Sequence, residues 1–338
     1  MATSLFEAGG IVVTKIYPMG FGVQPEASFK LMLVAEGFSA PSRGQFASLC
    51  VEMVEALLST TPFNRSRAHP EWLSVLRVFE PSSDSGPRVA GSAAGHSTLL
   101  NSSVEPATQR LDIDPAKLTT LLQRQEVSTS NGTRRLSDLY GCNGITYGLT
   151  GGIVAVITPP IDDPAGADNH VRPAELGQYH LVATTANGLW PQVVLRGIGT
   201  ALGLVDEFER PEPEYAIAST DAGVFQNSPN VVFCDAPPQR NSDVAVWRHV
   251  MSATQRLSAA IVHPHVAGDL PDSVLPAAPV VEGGFAFWEG GAGFRRKAYR
   301  SAEDCLMRRA PGLGYLPARA SFVPFCAVCI SHLRSTIG

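Results

Sequence analysis

The chain has no surplus of positive charge. Its 26 Lys and Arg stand against 31 Asp and Glu, for a net charge of −5 and a pI near 5.9. It therefore lacks the basic footprint of a nucleic-acid binder. No apolar run approaches the roughly 18 residues that a membrane-spanning helix needs. The N-terminus shows no basic segment ahead of a hydrophobic stretch, so no secretory signal is expected; this favours the cytoplasm and leaves secretion open. Cysteine is scarce, at six in 338 residues, which argues against a disulfide scaffold. What is present is ordinary for a globular protein. A hydrophobic fraction of 44% can build a substantial core in one large domain or two modest ones. The 31 Gly and 26 Pro imply many loops.

The apolar pattern predicts a strand over 29–37, a helix over 43–59 and a second strand over 72–79. Phe46, Leu49, Val51, Val54 and Leu57 recur at helical spacing, and Ser39 or Ser42 is positioned to cap that helix. The β–α–β order points to an open sheet with a crossover helix. Residues 80–103 read as a surface loop, 115–125 as a short helix carrying Leu118, Leu121 and Leu122 on one face, and 151–158 as a buried strand. A further strand is expected over 179–184 and helices over 193–204 and 243–261. Residues 1–27 read as an N-terminal arm or entry strand, with a short apolar run over 10–16. The main domain then covers 28–338, with a loop-rich C-terminal subdomain from about 209.

The most informative stretch is residues 193–209, VVLRGIGTALGLVDEFE. It aligns without gaps on the zinc-binding pattern HExxHxxGxxD. Arg196 falls on the first His, Gly197 on the Glu, Thr200 on the second His, Gly203 on the Gly and Asp206 on the Asp. Positions four apart share a helix face, so 196 and 200 would address one ion. Gly203 would end the helix and return Asp206 to the same point. A catalytic zinc needs three protein ligands and an open position, and here only Asp206 survives, with glycine in place of the general base. Two readings of Arg196 stand side by side: a guanidinium occupying the metal's place and pairing with Asp206, or a solvated helix residue.

Other landmarks extend the pattern. They are KLMLVAEG at 30–37, STTPFNRSR at 59–67, VFEPSSDSG ending at Gly86, IVAVI ahead of the helix, and GLVDEF at its exit. NSPNVVF with the later VWRHV follows, then FWEGGAGFRRKAYRSAEDCLMRR and PFCAVC. In this order, over roughly residues 28–335, the chain resembles the IgA-peptidase family of zinc metallopeptidases, a metzincin-like group. The resemblance implies a zincin-type α/β fold with a twisted mixed sheet and an active-site-type helix, a zinc ion and endopeptidase activity. The departure lies at the catalytic helix, whose two His and one Glu are missing here. Loss of the base alone costs about 10²–10⁴ in rate, and loss of two ligands removes the ion. The expectation is a degenerate site without zinc and no cofactor.

Cys326-x-x-Cys329, with Cys305 upstream and His332 beyond, admits structural zinc, a disulfide or buried thiols. A thioredoxin-like role is disfavoured, because the CxxC is not expected at the start of a helix following a strand. His263 and His265 could be paired metal ligands but read as loop histidines, while His170 and His180 flank the loop before the helix, could enter its cleft and are given no role. The functional expectation is a catalytically inactive peptidase homologue that binds a protein or peptide partner or acts as a scaffold. The alternatives are an active metallopeptidase or other hydrolase with unidentified ligands, and a subunit of a larger assembly. No nucleic-acid partner is expected, and the oligomeric state is open.

Overall fold

A computed structural model describes residues 3–8, 11–18, 29–89, 96–105, 110–129, 132–140, 152–161, 174–176, 179–205, 228–233, 247, 250, 261–262, 285–291, 294–302, 305–307 and 324–337. The chain divides into two compact units, Met1–Ala201 with Pro311–Phe322 and Thr336–Gly338, and Leu202–Ala310 with Val323–Ser335.

The first unit is mixed α/β. Its strands are β1 (Thr3–Ala8), β2 (Ile11–Tyr17), β3 (Phe29–Ala35), β4 (Leu73–Phe79), β5 (Arg88–Val89), β6 (Ser103–Glu105), β7 (Arg110–Asp112), β8 (Glu126–Thr129), β9 (Gly132–Arg135), β10 (Ile153–Thr158), β11 (Ala174–Leu176) and β12 (Tyr179–Thr185). Its helices are α1 (Arg43–Ser59), α2 (Pro115–Arg124), α3 (Leu136–Tyr140) and α4 (Trp190–Ala201). Seven strands form a twisted mixed sheet in the order β1-β2-β4-β3-β10-β12-β11. Within it β4, β3, β10 and β12 run parallel, and β1, β2 and β11 pair antiparallel at the flanks.

The continuous apolar runs of the central strands follow from cover on both faces. Met32, Val34, Leu76, Val78, Val154, Val156, Leu181 and Ala183 share one core with α2 residues Leu118, Leu121 and Leu122. Val182, of opposite parity, faces α4, and α1 packs against α4 and β4. Asp114 caps α2, accepting the Ala116 and Lys117 amides at 2.9 and 3.2 Å.

Several expectations change. At the N-terminus, where an arm or an entry strand is expected, the structure has strands β1 and β2, and β2 pairs with β4 across the sheet. In α1 the buried positions include Cys50 and Met53, whereas Val51 is 51% exposed. Ser42 occupies the cap position of α1, but its hydroxyl meets that of Ser39 at 3.0 Å and caps nothing. Helix α4 begins a turn earlier than expected, since Pro191 suits the first turn of a helix. The landmark STTPFNRSR is aromatic packing: Phe63 lies 5.2 Å from Phe29, and the Arg65 guanidinium sits 4.6 Å over Trp72.

The second unit contains β13 (Val231–Phe233), β14 (Ile261–Val262), β15 (Phe285–Gly291) and β16 (Phe294–Ala302), ordered β13-β16-β15-β14, with α5 (Ala327–Ile337) as far as Ser335. The Gly-rich WEGGAGF spans the end of β15 and the start of β16, which pair antiparallel with Gly291 opposite Phe294. Trp247 is fully buried against Tyr299 and Val328. The helix expected over 243–261 falls largely outside the described residues.

Candidate functional site

Helix α4 is packed too closely for the chemistry its frame suggests. A Cβ built on Gly197 would lie 2.8 Å from both Val182 Cγ1 and Cγ2. Glycine is therefore what lets the helix approach β12. Position 197, where the aligned pattern has its glutamate, faces the sheet, and a glutamate there would meet a β-branched side chain that cannot swing away. Thr200 shares a face with Arg196, but its hydroxyl donates to the Arg196 carbonyl at 3.3 Å, so it is used within its own helix. Arg196 is only 7% exposed and is partnered within the fold, which removes the reading of a solvated helix residue. Asp206, its expected counterpart, lies outside the described residues.

Gly203 ends the helix as its spacing predicts, with φ +92°. Beyond it, within the second unit, the chain is held by side chains acting as backbone. Asn230 Oδ1 accepts the Val205 amide at 2.9 Å and Asn230 Nδ2 donates to the Val205 carbonyl at 2.7 Å. The Trp247 indole donates to the Pro229 carbonyl at 2.9 Å. Pro229, Asn230 and Trp247 thus form one structural clamp. His332 Nε2 donates to the Leu202 carbonyl at 2.7 Å, satisfying an acceptor at the end of a helix.

No protein-family model matches this chain, and no curated protein matches it. The functional reading accordingly rests on the residues themselves.

The second cluster joins Cys305, after β16, to Cys326 and Cys329 at the start of α5. Their sulfurs all lie within 4.8 Å of one another. Cys305 Sγ is 3.7 Å from Cys329 Sγ and accepts the Cys326 amide at 3.3 Å. Ser301 Oγ lies 3.5 Å from Cys326 Sγ. Cys305 and Cys329 are fully buried, and no disulfide joins the three. Hydrogen bonds from Cys305 and then Cys329 hold the Cys326 thiol well below its ordinary range, against the effect of burial. Burial, and then hydrogen bonding to Cys305 and Cys326, pushes Cys329 well above it. Charge in this trio collects on one sulfur.

Two expectations are corrected here. The CxxC does open a helix, since the Cys326 carbonyl accepts the Ile330 amide at 2.9 Å as α5 begins. His332 does not join the cysteines, because its Nε2 serves Leu202 instead. His170, His263 and His265 lie outside the described residues, and His180 is half-buried on β12.

Sequence reasoning missed Glu36. Fully buried at the end of β3, its carboxylate accepts the Leu100 amide at 2.8 Å and the Ser102 amide at 3.0 Å. Ser82 Oγ accepts the amides of Gly37 and Leu99 at 3.0 and 3.1 Å. Together they organise the segment expected to be a plain surface loop. A carboxylate at the end of an apolar run and just before glycine was the available signal.

Proposed function

We propose that the chain is a catalytically inactive relative of zinc peptidases that binds a protein or peptide partner. The zincin-type reading of the sheet and α4 belongs to this proposal. The observation that carries it is Gly197 against Val182 at 2.8 Å, which leaves no room for a general base. Thr200, bonded to its own helix, adds no ligand in place of the missing imidazole, and one aspartate cannot hold a catalytic zinc. Binding of an extended peptide needs no metal. Strand addition uses main-chain groups along a sheet edge, and β11 is the short antiparallel strand at one edge of the seven-stranded sheet.

The test has two arms. Purified chain is incubated with casein and oligopeptides, with and without a chelator; no chelator-sensitive cleavage is expected. Cleavage abolished both by chelator and by Asp206→Asn would replace this reading with an active metallopeptidase. Peptide-display selection on the immobilised chain should enrich extended sequences, and a selection that enriches nothing would sink the binding half.

A further inference from the structure

We propose that Cys305, Cys326 and Cys329 form a zinc-binding site, three thiolates holding one ion between the start of α5 and the turn following β16. The site is independent of the HExxH-like frame on α4 and does not depend on the reading of that helix.

The geometry is that of a coordination shell. Zinc–sulfur bonds of about 2.3 Å in a tetrahedron put neighbouring sulfurs about 3.8 Å apart. Cys305 and Cys329 stand at 3.7 Å, with all three sulfurs within 4.8 Å. The surrounding hydrogen bonds suit anionic sulfur. The Cys326 amide points at Cys305 Sγ at 3.3 Å, the Cys329 amide bonds Cys326 Sγ, and the Ser301 hydroxyl lies 3.5 Å from the same atom. Such contacts orient metal-binding thiolates and tune them. Cys326 also sits at the N-terminus of α5, where the helix dipole favours negative charge.

Burial makes the case stronger. Leu306, Met307, Phe325 and Val328 are all buried beside the cysteines, and the Leu306 amide donates to the Pro324 carbonyl at 3.0 Å. The two segments are already aligned, so binding orders little additional chain. Soft thiolates select zinc over magnesium or calcium. Among the described residues no fourth His, Cys, Asp or Glu joins the trio, which leaves one tetrahedral position for water or an added ligand. Uptake replaces S–H bonds with S–Zn bonds and releases the thiol protons to solvent, with no change of oxidation state.

The test uses the full chain, reduced and metal-free, titrated with Zn²⁺ and separately with Co²⁺. One equivalent of zinc should bind, and cobalt should give thiolate-to-metal charge-transfer absorption in the near ultraviolet. Cys326→Ser should weaken zinc binding by more than about tenfold, and so should Cys305→Ser. Cys50→Ser and Asp206→Asn should leave it unchanged. The cobalt spectrum of the unmutated protein decides the question even if a serine variant fails to fold. Absence of metal uptake would overturn the proposal. So would cobalt bound without sulfur bands, zinc retained in Cys326→Ser, or a stable disulfide among the three under the same conditions.

Discussion

Two clusters of buried polar groups in this molecule differ in how they are satisfied. At the end of β3 the Glu36 carboxylate spends both oxygens on main-chain amides of a neighbouring segment. At the start of α5 three thiols share hydrogen bonds chiefly with one another. The first arrangement is complete as it stands and reads as architecture. In the second, hydrogen bonds favour the thiolate form at Cys326, and the zinc proposed above would place a cation beside it. Helix α4 belongs with the first kind: Thr200 turns back on its own helix, and Gly197 exists to let β12 in. A position that departs from a motif is therefore not the same as a vacant one, because packing can absorb it.

The contrast can be broken most severely at Glu36. Glu36→Ala leaves the buried Leu100 amide without its acceptor and the Ser102 amide with Thr98 Oγ1 alone, at 3.0 Å; at about 1–3 kcal/mol per lost acceptor, a loss of about 3 kcal/mol is expected in denaturant unfolding. Glu36→Gln, which keeps one carbonyl acceptor, should lose about half of that. A loss under about 1 kcal/mol for the alanine variant would mean that the amides find other partners.

Gly197→Ala sets two effects against each other. Alanine gains about 1 kcal/mol in helix propensity, while overpacking against Val182 costs about 1–3 kcal/mol. The clash should win, and Val182→Ala should relieve it in a double-mutant cycle. Simple stabilisation by Gly197→Ala would show that α4 does not press on β12.

The thiol side sharpens under alkylation. In reduced, metal-free protein at neutral pH, Cys326 should react at least about tenfold faster than Cys50. Burial pushes the Cys50 thiol well above its ordinary range, so its thiolate is rare. Zinc should protect Cys326; equal rates, read by mass spectrometry, would contradict this.

A pH-dependent effect is expected at Lys15, buried in β2, where burial lowers its pKa from 10.5 to about 8. Between those values the unfolded chain carries the extra proton, so stability should rise as pH climbs from about 8 toward 10.5. Below about 8 the cost of a buried ammonium is felt in full. Lys15→Met should flatten that rise in urea midpoints measured across the range; an unchanged slope would place the effect elsewhere.

Much of the first unit was legible because it is local. Uninterrupted apolar runs announced β3, β4 and β10, Leu118, Leu121 and Leu122 announced α2, and Gly203 announced the end of α4. The place of β2 in the sheet was not legible, because an apolar segment does not name its pairing partner. The same limit applied to Val51, since helical spacing allows neighbouring faces and only the contacts with the sheet choose between them.

The amino-acid order alone determined the strand and helix pattern, the absence of the paired imidazoles and the carboxylate from α4, and the scarcity of cysteine. Only the tertiary structure decided that Gly197 is filled by Val182, that His332 serves Leu202, and that Cys305 meets Cys326 and Cys329. The reason is physical. Periodicity and composition act over a few residues, whereas a ligand set or a steric limit depends on atoms brought together from distant positions in the chain.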